Sequence, residues 1–146
     1  MNLRRNTHAL LALLAVAVLA VAAAPGRAAK PASGGDFKAA AALWKNVQAK
    51  AVALDQTISA RKMKAVHEAA FAVRDQVKLL PAKSKALSPA NQAKLAKGVK
   101  TVASLAAQLD EAGDSGKQAE AEALNKKMHT VLDAIAGLYP AGALKK

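Results

Sequence analysis

The chain has 146 residues, 22 Lys or Arg against 10 Asp or Glu, a formal charge of +12, and no cysteine. Without thiols it has no disulfide, iron–sulfur, zinc-thiolate or covalently attached c-type haem site, so packing alone holds the fold. Four aromatic residues (Phe37, Trp44, Phe71 and Tyr139) stand in an alanine-rich composition, which favours helices with thin, closely approaching faces and supports a β-sheet poorly.

Residues 1–28 have the order of a secretory signal peptide: Arg4 and Arg5, an unbroken apolar run from Ala9 to Ala24, then Pro25-Gly26 and a small-residue exit. The 16-residue run is shorter than the ~20 apolar residues that span a bilayer. Cleavage after Ala28 leaves a periplasmic chain with 19 basic and 10 acidic residues, a charge of +9. Residues 29–35 (AKPASGG) read as a linker, 36–140 as one domain and 141–146 as a frayed tail.

Asp36 is expected to cap the first helix. Its apolar residues Phe37, Ala40, Ala41, Trp44, Val47, Ala51, Leu54 and Ile58 recur every three or four positions, on one stripe. A second stripe, Met63, Val66, Ala70, Val73, Val77 and Leu80, is a strict heptad seam. The two are out of phase, and one helix from Asp36 to Leu80 would be ~66 Å long. A turn is therefore expected at Thr57 to Ala60, with Ser59 as the next cap. Pro81 is expected to end the second helix, and a basic loop follows to Leu87. Ser88-Pro89 is a strong helix start. The third stripe is Leu95, Val99, Val102, Ala106 and Leu109, with Gly98 inside it either for close helix approach or merely as a weak point. Gly113 to Gly116 reads as a turn. The fourth stripe is Ala121, Leu124, Met128, Val131, Ile135 and Leu138, and Tyr139-Pro140 closes it. The fold class that follows is all-α, an up-down-up-down antiparallel four-helix bundle.

The run from Leu109 to Tyr139 (LDEAGDSGKQAEAEALNKKMHTVLDAIAGLY) resembles the last helix and acidic turn of the soluble b-type cytochrome bundles of the bacterial periplasm. The resemblance covers most of the exported chain in architecture and implies a four-helix fold. In that family haem is held by a methionine near the start of the first helix and a histidine three residues before the terminal tyrosine. Here the first helix has neither Met nor His, and Ala136 stands three before Tyr139, so the resemblance does not carry haem ligation with it. The chain also resembles small uncharacterised periplasmic bundle proteins that accompany metal efflux, which implies a metal-binding accessory.

The residues that can carry chemistry are few. Met63 and His67 are four apart on one helix face, and Met128 adjoins His129. Thioether plus imidazole suits Cu(I) or a similar soft ion. The bland alternative is also open: Met63 and Met128 on seam positions as gap-filling core, with His67 at the stripe edge and His129 facing outward. Glu68 and Asp75, and the group Asp110, Glu111 and Asp114, read as solvated acids. No phosphate loop, Ser/His/Asp order or HExxH motif is present, and an enzyme is not expected. Two functions remain: a metal-binding accessory to periplasmic transport or stress defence, or an interaction module whose basic surface meets an anionic protein or membrane. The lysines have no interleaved aromatics to stack bases, so nucleic acid is not expected.

Overall fold

The computed structural model describes residues 37–144; the expected signal segment 1–28, the linker 29–35 and the Asp36 cap lie outside the described residues. Every regular element in them is helical. Four long helices, α1 (Lys38–Ser59), α2 (Val66–Lys78), α4 (Pro89–Asp114) and α5 (Gln118–Ala136), are joined by short connections, with a four-residue helix α3 (Leu80–Lys83) between α2 and α4.

The turn after α1 falls later than the stripes imply. α1 continues through Ser59, which is its last residue rather than a cap for the next helix. Arg61 then takes the left-handed conformation, φ 54. Arg61 N donates to Ile58 O and Lys62 N to Thr57 O, the paired bonds of a Schellman motif. The position normally asks for glycine, and a side chain there costs on the order of 1 kcal/mol. With arginine in that place, the turn leaves no Gly or Pro to mark it. Met63 lies in a 3-10 turn (Met63–Ala65), not in α2, and is only half-buried. The same motif ends α4, with Gly116 at φ 65 in the left-handed place.

Pro81 does not end α2, which stops at Lys78; it sits in the first turn of α3, where its missing N–H is harmless. Ser88 caps α4, its Oγ accepting from Asn91 N at 3.3 Å.

The buried side chains form one core that follows the expected stripe in α1 and, from Val66 onward, in α2; in α4 Val99 is only half-buried, while Leu105 and Ala112 join the core from outside the stripe. In α5 the seam departs from the heptad. Leu132 is buried and Val131 only half-buried. The tail is not frayed throughout, because Leu144 packs on the core.

α2 packs on α1 and α4, and α5 packs on α4 and α1. Two glycines of α4 admit close neighbours, at Gly113 a backbone carbonyl and at Gly98 a side chain. A Cβ at Gly98 would stand 2.8 Å from Ile135 Cγ1, and one at Gly113 would stand 2.8 Å from Met63 O and 3.0 Å from Val66 Cβ. Gly113 is thus a packing residue inside a helix, not part of a turn.

Gly113→Ala should lower stability despite alanine's better helix propensity, because the obstacle is backbone; a net loss of roughly 1–3 kcal/mol is expected in urea unfolding. Val73→Ala should cost a similar amount and Leu132→Ala about 2–5 kcal/mol, with Val131→Ala well below Leu132→Ala and Lys100→Ala near zero.

Candidate functional site

The helix ends meet in two clusters of polar contacts. In the first are the end of α1 and the start of α5, where Gln118 Nε2 donates to Ile58 O at 2.8 Å. The start of α2 and the end of α4 join it through His67 Nδ1, 2.7 Å from Asp110 Oδ1. His67 also meets Phe71 edge-on at 4.3 Å between ring centroids, and the Arg74 guanidinium lies 3.9 Å over the Phe71 ring. On α5, His129 Nε2 is 2.7 Å from Asp55 Oδ1 on α1, and Asn125 Nδ2 donates to the same oxygen at 2.6 Å.

Both histidines therefore bridge helices, each to one aspartate. His67 spans α2 and α4, and His129 spans α5 and α1. His67 is 54% exposed along its side chain, Met63 is half-buried on the core and Met128 is 1% exposed. The geometry brings His67 to Asp110 and His129 to Asp55, not the two histidines to each other. No group of three or more His, Cys, Asp or Glu side chains arranged to hold a metal ion occurs among the described residues. Neither aspartate was legible as a partner in the sequence, because each lies more than 40 positions from its histidine.

The second cluster lies at the other end. Tyr139 OH and Ser84 Oγ are 2.6 Å apart, both buried. The Tyr139 ring meets Phe37 edge-on at 5.5 Å, and Asn91 Nδ2 donates to Leu138 O at 2.8 Å. The start of α1, the α3–α4 loop and the residues after α5 are thereby tied together. Beside them an open cleft of about 520 Å³ is lined by Trp44, Lys45, Gln48 and the turn from Pro140 to Gly142.

Charge is divided between these ends. The half of the molecule that contains Tyr139 (residues 37–48, 72–101 and 127–144) holds ten Lys or Arg and two acids, Asp75 and Asp133. The remaining residues, 49–71 and 102–126, contain the His67–Asp110 bridge and hold six Lys or Arg and seven acids. Asp75 is bound by Arg74 at 2.8 Å, with Lys78 at 3.8 Å, and the Arg74 hydrogen bond holds its carboxyl below the usual range. From Gln76 to Leu109 the chain carries six lysines and no acid. No helix among the described residues is long and apolar enough to cross a membrane. Comparison with protein-family models, curated proteins and solved structures gave no match to the chain.

Burial raises the Tyr139 phenol above its ordinary value of 10.0, and the Ser84 hydrogen bond opposes the shift in part. The folded state therefore favours the neutral phenol. That contribution is complete below pH 10 and is lost as pH rises through the raised value. Tyr139→Phe should cost about 1–3 kcal/mol at neutral pH by leaving the Ser84 hydroxyl buried without its partner. The gap to wild type should narrow as thermal melts are taken above pH 10.

Proposed function

We propose that this chain is an exported, non-enzymatic helical-bundle protein that binds an anionic partner through its lysine-rich end. The single observation that carries this is the charge division, ten basic against two acidic residues in one half and six against seven in the other. Charge retained only for solubility has no reason to gather at one end, whereas a one-signed end focuses field toward an oppositely charged surface. The lysine-rich half buries its aromatics Phe37, Trp44 and Tyr139, which leaves no exposed ring to stack a base and argues against nucleic acid. The architecture proposed for it is the up-down-up-down antiparallel bundle. It is supported by the pairing of ends: Phe37 with Tyr139, Ile58 with Gln118, and His67 with Asp110.

Titration with polyglutamate tests the reading. Binding should be strong at low salt and fall steeply above physiological ionic strength. Lys94→Glu/Lys97→Glu should weaken it about tenfold or more, and Lys62→Glu/Lys64→Glu, at the other end, far less. Equal losses from the two pairs would show that net charge, not its placement, governs binding.

A soft-metal-binding accessory is the second reading, favoured by one contact. Asp110 accepts the Nδ1 hydrogen of His67, which leaves Nε2 as the acceptor nitrogen, the way a carboxylate orients a metal-ligating imidazole. Met63 precedes His67 by four residues and supplies sulfur for Cu(I); Met128 and His129 form the subsidiary pair. Cu(I) affinity should fall on His67→Ala and, by roughly tenfold or more, on Asp110→Asn. An unchanged titration of His67→Ala removes this reading.

A further inference from the structure

Leu79 stands at the junction of α2 and α3 and is 51% exposed, while the adjacent Leu80 is fully buried. Lys78 precedes it and Lys83 and Lys85 follow, all exposed. Between them Pro81 and Ala82 are exposed as well, and the one acid nearby, Asp75 four residues before the leucine, is bound by Arg74 and lies 3.8 Å from Lys78. Lys94 and Lys97 add two exposed charges on the first turns of α4, which packs on α2 and α3. The corner is held from beneath. Ser84 N donates to Pro81 O and Leu87 N to Ser84 O, the Ser84 hydroxyl meets Tyr139 OH, and Gln92 Nε2 donates to Leu87 O and Lys85 O. An apolar side chain is thus presented on a fixed loop within a field of lysines.

We propose that this corner docks on an anionic lipid surface, with Leu79 entering the boundary between headgroups and acyl chains and Lys78, Lys83, Lys85, Lys94 and Lys97 meeting lipid phosphates. The proposal rests on the lysine-rich-end reading and deepens it by naming the partner. The physical case is the pairing of two terms. Lysines near an anionic membrane surface each add an attraction that ionic strength screens, and a buried apolar side chain adds a short-range term that salt does not remove. Charge alone would suit any acidic partner. An exposed leucine flanked along the chain by exposed Lys78, Lys83 and Lys85 suits a partner that offers an apolar layer beneath its anionic one, and a bilayer offers that layer without a preformed pocket. The stems of the flanking lysines can lie along the same boundary while their ammonium groups stay in water.

The test is co-sedimentation of the protein, recovered from the periplasmic fraction, with vesicles of phosphatidylcholine alone or mixed with phosphatidylglycerol. Binding is expected to the mixed vesicles, weakly to phosphatidylcholine, and to fall in high salt. Lys83→Glu/Lys85→Glu should weaken it roughly tenfold or more and Leu79→Ser several-fold. Val52→Ser should leave it unchanged, since Val52 is as exposed as Leu79, at 52%, but lies on α1 in the half with balanced charge. All these variants alter exposed side chains, and thermal melts equal to wild type confirm that they fold. Undiminished binding of Leu79→Ser overturns the docking corner. Loss of vesicle binding with polyglutamate binding retained overturns the lipid partner and leaves the lysine-rich-end reading standing. Failure to bind either overturns both.

Discussion

The arrangement of the molecule depends on how closely α4 approaches its two neighbours. Gly113 admits the Met63 carbonyl and Val66 to distances that a side chain there would forbid, and Gly98 admits the Ile135 side chain closely near the other end of the helix. With the larger residues of the core arranged around these contacts, α4 has little freedom to slide along α2 or α5. The polar contacts follow from this register. Asp110 lies one helical turn before Gly113, and His67 follows Val66, so the Gly113 contact sets the His67–Asp110 pair. At the opposite end the same register brings Asn91 to Leu138 O, and the loop that precedes α4 carries Ser84 to Tyr139.

A close-packed, alanine-rich core has few other means of specifying its register. Alanine faces are smooth and tolerate sliding, because one alanine replaces another at small cost. Two glycines, a buried Ser84–Tyr139 hydrogen bond and the Asp55 contacts with Asn125 and His129 each favour a single alignment. The histidine bridges belong to this set whatever else they do. Each joins a pair of helices, and between them they involve all four.

The division of charge follows from the same folding pattern. Along the chain the lysines look evenly spread, with acids between them in several places. Folding brings the acid-free stretch from Gln76 to Leu109 beside the lysine-bearing start of α1, and gathers Asp55, Glu68 and the acids from Asp110 to Glu122 into the other half. A chain that reads as uniformly basic becomes a molecule with one strongly basic end. Leu79 acquires meaning only in that setting, because its exposure is decided by the turn from α2 into α3 and not by its place in the sequence.

The sequence by itself determined the helices and most of the buried face of each. Periodicity is a local property: residues three and four apart share a helical face wherever the helix lies. The start of α4 was equally local, since Ser88 and Pro89 act on the turn that they begin. What only the tertiary structure decided were features that need two segments at once. The turn at Arg61 was hidden because arginine rarely takes the left-handed conformation and nothing nearby marks it. Leu132 replaced Val131 in the core because α5 meets its neighbours on a face slightly rotated from the heptad seam. The partners of His67 and His129 lie 43 and 74 positions away, and no spacing rule spans such distances. The role of Gly113 was invisible for the same reason: a missing side chain signals close approach only when the atom that approaches is known.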